Sequence, residues 1–384
     1  MLTKKFENEL KQWRHEFHAC PELNFDVNQT AKKVAKLLKE FGLEVHTGIG
    51  GTGIVGTLKK GTGSKSIGIR ADMDALPINE LNDFPYKSKN EGKMHACGHD
   101  GHTAMALGAA KFLAESGDFD GTVHFIFQPD EEATEGAQAM IDDGLFKNFN
   151  IDEVYAFHNL PGLAAGNFAS RAGAITGSES LFEIKLYGRG GHSALPHMGV
   201  DTITVGTQII TALQSIVSRK INPALNGVVS VTEFISDGKK NILPGESIII
   251  GDTRALSLEA NKIIEDSMRQ IVEGLAKAHN IEFSFSYDVQ TQMTINTPDQ
   301  VHAAIEVAKN LVGKDLVDGD CEPKLFSEDF AQMLAVKPGC YILIGNGIEG
   351  NHGRSLHSAD YDFNDELLVV GSSFWSELVL KQLS

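Results

Sequence analysis

The chain has 384 residues, of which 34 are basic, 51 acidic and 42% apolar, for a formal net charge of −17. That length exceeds what a single core ordinarily fills, so two domains are expected, and the apolar share is that of a folded protein rather than a disordered one. The acidic balance argues against nucleic acid or an anionic membrane surface as the main partner.

Phe6, Leu10, Trp13 and Phe17 recur at a helical period and predict an opening helix. A second helix is expected over 29–41, closed by Gly42. The stretch LEVHTGIGGTGIVGTLKK (43–60) is β-branched and glycine-rich. No helix follows its glycines, so it reads as a hairpin or a bulged strand rather than a phosphate loop. From Ser66 onward, strands alternate with helices. A strand at 66–69 ends in Arg70-Ala71-Asp72-Met73-Asp74, and a helix covers 100–115. A strand at 122–127 ends in Gln128-Pro129-Asp130-Glu131-Glu132, a helix covers 136–143, and a strand at 154–157 ends at His158. Such alternation indicates an α/β fold around a mainly parallel sheet, whose ligands sit beyond the carboxyl ends of its strands.

Between 181 and 287 the order becomes strand, helix, strand, strand, helix, strand, with helices over 200–218 and 258–279. This suggests a ferredoxin-like α+β unit, residues 177–289, inserted into a domain built from 1–176 and 290–384. After it, Pro298 begins a helix with Thr297 as its cap, and Ser327-Glu328-Asp329 opens another. An apolar strand follows at 340–344, and Asn364 opens a last amphipathic helix to Leu383.

Cys20, Cys97, Cys321 and Cys340 are widely spaced and form no CxxC pair, so reduced thiols are expected. The charged start, MLTKKFENELKQW, is unlike a secretory signal, and no apolar run approaches the ~18 residues that span a bilayer. A cytoplasmic protein with no membrane partner is expected.

The densest chemical cluster is His95-Ala96-Cys97-Gly98-His99-Asp100-Gly101-His102, a thiol and imidazoles in a turn ahead of a helix. First-row divalent metals favour these ligand types. Asp130-Glu131-Glu132 ends a strand, where adjacent side chains point to opposite sides. One glutamate can therefore bind a metal while its neighbour faces water as a general base. His158 ends the next strand, and His357 sits in the loop before the final helix. Cys97, His99, Glu132, His158 and His357 make five donors, more than one catalytic zinc needs and enough for two metals. Asp72 and Asp74 are candidates for orienting the histidines. In the inserted unit, His192 lies in the turn Gly188-Arg189-Gly190-Gly191-His192-Ser193. Asn241 and Arg254 are candidate polar and carboxylate-binding groups.

These motifs resemble the di-metal amidohydrolases that include hippurate hydrolases, N-acyl-amino-acid hydrolases and plant auxin-conjugate hydrolases. That family lies within the aminoacylase and carboxypeptidase G group. RADMDALP (70–77), HACGHDGH (95–102), FQPDEE (127–132), HNLPG (158–162), GRGGHSALPH (188–197), SEDF (327–330) and LHSADYDFND (356–365) carry the resemblance across nearly the whole chain. It implies that Cys97 bridges two metals, with His99 and His158 on one and Glu132 and His357 on the other. Glu131 would be the general base, and His192 would reach from the lid of a partner subunit to the oxyanion. Asn241 and Arg254 would hold the substrate. Ala164, Ala359 and Ala133-Thr134 depart from the usual pattern and bear on the acyl pocket rather than the chemistry.

The expectation is thus a metal-dependent amidohydrolase of N-acyl amino acids, assembled as a homodimer or higher oligomer through its lid. Its two divalent ions per subunit would be zinc or manganese, with cobalt or nickel also admitted. The competing readings are a metallo-dipeptidase or carboxypeptidase, a deacetylase of an intermediate such as N-acetyl-diaminopimelate, a zinc deaminase, and a non-catalytic binding protein. The deaminase lacks its His-x-Glu and Pro-Cys-x-x-Cys motifs here.

Overall fold

A computed structural model describes residues 4–384. The chain divides into two units, one of residues up to Gly173 with Ile295–Glu322 and Asp329–Ser384, the other of Ala174–Thr294 with Pro323–Glu328. The inserted unit thus also takes in a short segment, 323–328, that the strand and helix pattern does not mark.

In the larger unit, α1 (Lys4–His18) buries Leu10, Trp13 and Phe17, the residues at helical spacing, together with Arg14 and His18. After α2 (Asn28–Glu40), Gly42 turns the chain at φ +87°, and β1 (Glu44–Ile49) pairs antiparallel with β2 (Gly53–Lys60) as a bulged hairpin. There follow β3 (Ser66–Asp72), α3 (His99–Ser116), β4 (Gly121–Gln128), α4 (Gly136–Asp142), β5 (Glu153–Pro161) and β6 (Phe168–Ala169). His158 does not end its strand, because β5 runs on to Pro161.

The inserted unit contains β7 (Ser178–Tyr187), β8 (Gly191–His192), α5 (Thr202–Leu213), α6 (Ser215–Arg219) and β9 (Gly227–Ser236). It continues through β10 (Ile242–Leu243), β11 (Glu246–Ala255), α7 (Leu258–Ala278) and β12 (Glu282–Thr291). The four long strands form an antiparallel sheet in the order β9-β11-β7-β12, the ferredoxin-like arrangement. Phe182, Ile184, Leu186 and Ile249 on one face share a core with Val205, Ile209, Ile264 and Met268 of the helices. The helix expected over 200–218 is two helices, broken at Gln214.

The chain then returns with α8 (Pro298–Val312), β13 (Val317–Asp318), α9 (Phe330–Val336), β14 (Gly339–Gly347) and α10 (Leu367–Gln382). The larger sheet has eight strands in the order β1-β2-β4-β3-β5-β14-β6-β13. Its centre, β4-β3-β5-β14, is parallel, and β1, β2 and the β14–β6 junction are antiparallel. Three local expectations are corrected. Thr297 stands at the N-cap of α8 as expected, but its hydroxyl donates to the Gly339 carbonyl instead of accepting from a helix N–H. The helix expected to open behind Ser327 begins only at Phe330, and the Ser327 hydroxyl donates to Glu179 instead of capping it. The final helix begins at Leu367 rather than Asn364, and it is buried on most sides rather than amphipathic. Gly371 lets it approach α3 closely, since a Cβ there would meet the Met105 sulfur at 2.1 Å. Among the described residues no helix is long and apolar enough to cross a membrane.

Arg14 ties the two ends of this unit together. It is fully buried, and its Nε donates to Asp100 (2.8 Å), Nη2 to Asp362 (2.6 Å) and Nη1 to Asp365 (3.1 Å). Burial alone would raise the pKa of Asp100 and of Asp365. Arg14 and His18 hold Asp100 below the ordinary carboxylate value, and His15 and Arg14 do the same for Asp365. Removing one partner of a buried ion cluster leaves charges in a poor solvent. Arg14→Met is therefore expected to destabilise this unit by about 3–5 kcal/mol. Urea unfolding followed by tryptophan fluorescence reads this unit alone, since both tryptophans, Trp13 and Trp375, lie in it. A midpoint unchanged from the parent would refute the assigned role.

Candidate metal centre

The chemistry-bearing residues collect where the central parallel strands end. Asp72 closes β3, Glu131 and Glu132 follow β4, His158 lies toward the end of β5, and Cys97 and His99 flank the start of α3. Gly98 makes the turn between the thiol and the imidazole possible. It has φ +96°, and a Cβ there would meet the Asn159 Oδ1 at 2.1 Å. His357 is carried by a late loop, yet its backbone N–H donates to the Ala96 carbonyl at 2.8 Å, which fastens it beside the Cys97 turn.

All five expected donors come together. The ligand atoms of Cys97, His99 and His158 lie within 4.8 Å of one another, as do those of Cys97, Glu132 and His357. The Cys97 Sγ is 3.2 Å from His158 Nε2, and His357 Nε2 is 3.4 Å from Glu132 Oε2. Glu131 and His99 approach to 3.8 Å. The two buried imidazoles are held in one tautomer. His99 Nδ1 donates to the Asp74 carbonyl (2.8 Å) and His158 Nδ1 to the Asn159 carbonyl (2.7 Å), which turns each Nε2 toward the cluster. His99 Nε2 and Glu132 Oε1 are buried with no hydrogen-bond partner. Buried orphan atoms of this kind are costly unless something else satisfies them. A soft thiolate, imidazoles and a carboxylate with open lone pairs suit first-row divalent metals, so the residues fit such ions.

Electrostatics point the same way. Burial, with Glu132, Glu131 and Asp72 nearby, pushes the Cys97 thiol well above its ordinary value. Burial raises the Glu132 carboxyl to about 7 despite His99, and Asp74 adds to the rise. Burial opposes protonation of His99, but Asp72 and Asp74 outweigh it and bring it to about 10. A crowd of acids around a buried thiol thus gathers positive charge from its own histidine. A bound cation reverses this logic, deprotonating the thiol and freeing the imidazole.

The supporting shell differs in detail from the expected one. Asp74 orients His99 through its backbone carbonyl, while its side chain accepts the Glu132 N–H at 3.0 Å. The closest histidine partner of Asp72 is His102, at 2.7 Å, and Asp72 is also held by Arg70 at 2.7 Å. Arg70 reaches on to Asp329 and Gln128. His102 meets Asn159 at 2.9 Å, and Asn159 donates to the Tyr361 hydroxyl at 2.5 Å. Arg70, His102, Asn159 and Tyr361 all lie within the sequence motifs but carry no role of their own there, though His102 sits one helical turn after His99, on the same face.

The remaining candidates belong to the inserted unit. His192 is exposed on β8, opposite Ile242, and its Nδ1 accepts the Ala194 N–H at 3.1 Å, so its Nε2 carries the proton. Asn241 is exposed beside it, its carbonyl accepting the Ser193 N–H at 3.1 Å. Arg254 is partly buried on β11 and paired with Asp252 and Glu179.

A profile of Peptidase family M20/M25/M40 matches residues 68–381. Over 377 residues the chain is 43% identical to a hippurate hydrolase of Campylobacter jejuni, covering 98% of this chain and 97% of that one. It is 34% identical over 383 residues to an N-acetylcysteine deacetylase of Bacillus subtilis, with 99% and 98% covered. A crystal structure of a dinuclear metal-binding peptidase from the M20 family, also of Bacillus subtilis, has a TM-score of 0.87 at 30% identity and covers 99% of both chains. With a profile over most of its length and relatives matched end to end, the chain belongs to Peptidase family M20/M25/M40.

Proposed function

We propose that the chain is a metal-dependent amidohydrolase that cleaves N-acyl-L-amino acids to a carboxylic acid and an amino acid. Cys97, His99, Glu132, His158 and His357 would hold two divalent ions, zinc or manganese. The observation that carries this reading is the pair of donor triplets that share the Cys97 thiol, with Glu131 beside His99 and outside both. Hippurate and N-acetylcysteine, which name two relatives, differ in acyl group and in amino acid. Both have a secondary amide one carbon from a free carboxylate, and that is the feature the enzyme would read.

When bound, the two ions supply a water of lowered pKa and polarise the amide carbonyl. Glu131 takes the proton of the attacking water and passes it to the leaving nitrogen. His192 donates its Nε2–H to the oxyanion as the carbonyl carbon becomes tetrahedral, a contribution of about 10²–10³ in rate. Asn241 positions the substrate and Arg254 pairs with its carboxylate. The inserted unit serves as lid and dimerisation surface, so His192 acts on the site of a partner subunit. The four free thiols accord with a reducing, cytoplasmic setting.

Reconstitution with zinc, manganese, cobalt or nickel, followed by a panel of N-acyl amino acids and dipeptides, tests the assignment. The N-acyl amino acids are expected to be turned over in preference, and turnover of dipeptides alone would overturn it. Glu131→Gln is expected to keep both ions and lose about 10²–10⁴ in kcat; near-parent turnover would remove Glu131 from the base role. Cys97→Ser is expected to lower metal content by elemental analysis, and full occupancy in that variant would refute the shared thiolate.

A further inference from the structure

We infer that Glu179 occupies, in the free protein, the place on Arg254 that a substrate carboxylate takes, and so makes a carboxylate the entry requirement for substrates. This rests on the carboxylate-binding role proposed for Arg254. The residues concerned all lie in the inserted unit. Glu179 on β7 stands directly opposite Arg254 on β11 in the antiparallel register. Side chains alternate across a strand, so both point away from the face that Phe182, Ile249 and Ala255 bury against the helices.

Three groups engage the guanidinium. Its Nε donates to Asp252 Oδ2 at 2.6 Å, two residues earlier on the same strand. Its terminal edge is held differently. Nη2 donates to Glu179 Oε1 at 2.7 Å, and Nη1 donates to the Ser327 hydroxyl at 3.4 Å. That hydroxyl donates in turn to Glu179 Oε2 at 2.6 Å. One carboxylate therefore spans both terminal nitrogens, one oxygen directly and the other through a hydroxyl. An incoming carboxylate that binds a guanidinium in bidentate fashion uses that same edge.

Charge makes the arrangement selective. Asp252 and Glu179 together already outweigh the single positive charge of Arg254, so a third carboxylate gains little until Glu179 leaves. Glu179 and Arg254 keep 22% and 23% of their side-chain exposure, so their pair is screened and its exchange for an equivalent ion costs little. A substrate that carries a carboxylate replaces one anion by another. A neutral amide offers Arg254 nothing in exchange, so it leaves Glu179 in place and gains nothing from the guanidinium. Asp252, on Nε, stays in place throughout and keeps the guanidinium aimed.

The test uses the metal-loaded protein with N-benzoylglycine as substrate and neutral N-methylbenzamide as competitor. Glu179→Gln is expected to lower KM for N-benzoylglycine about two- to fivefold, with kcat and the inhibition constant of the neutral competitor unchanged. Ser327→Ala keeps both charges and frees one Glu179 oxygen, so it should shift KM the same way by less, and it decides the matter if Glu179→Gln fails to fold. Arg254→Gln is expected to raise KM about tenfold or more. If Arg254→Gln raises KM while neither other variant lowers it, the role of Glu179 is refuted and the carboxylate seat stands. If Arg254→Gln leaves KM unchanged, the seat itself fails, and the role of Glu179 with it.

Discussion

The larger unit depends on one buried cation. Arg14 lies on the first helix, yet its three carboxylate partners come from the first turn of α3 and from the segment just after His357. Asp100 is the neighbour of His99, so the same guanidinium holds the early donors Cys97 and His99 in register with the last donor to appear in the chain. Stripping water from these charges is expensive, and their attraction offsets it only when each hydrogen bond is made. Here Nε, Nη1 and Nη2 each meet a separate carboxylate. What the cluster contributes above all is geometry: two distant stretches of chain have one low-energy way to meet.

Around the donors the same economy recurs with the sign reversed. Asp72 faces Arg70 and His102, and His102 faces Asn159, whose carbonyl sets the tautomer of His158. A displacement at any of these reaches an atom aimed at the cluster. His158 is carried by β5 and His99 by the first turn of α3, while Cys97 and Glu132 lie in turns next to regular elements. His357, on a loop, is the half-exposed member of the set.

Much of this is legible in the residues, for identifiable reasons. Alternating apolar strands and helical periods betray the α/β layer and the ferredoxin-like order of the insert, since burial imposes those periods. The donors stand out because thiol, imidazole and carboxylate concentrate in a few short motifs. What stays hidden is long-range. Arg14 adjoins the apolar stripe of Leu10, Trp13 and Phe17 and looks like a surface charge until partners some 350 residues away enclose it. The bond from Asn159 to Tyr361 joins residues 202 positions apart, with no local trace. β5 outruns its expected end because β14 pairs with it as far as Pro161. The last helix departs from an amphipathic pattern because α3 and the sheet core surround it.

The interrupted order of the large sheet has a consequence for how the protein is made. β14 lies between β5 and β6, so the first 173 residues leave the ribosome with the strand that joins β5 to β6 still missing. The insert, by contrast, is nearly contiguous, and its two ends are joined by a hydrogen bond from Ile175 to Thr294 at 2.9 Å. Synthesis from the N-terminus therefore lets the insert close while its host still waits for its central strand. Of the two candidate donor triplets, the one made by Cys97, His99 and His158 is already synthesised before the insert, and the one that needs His357 only after it.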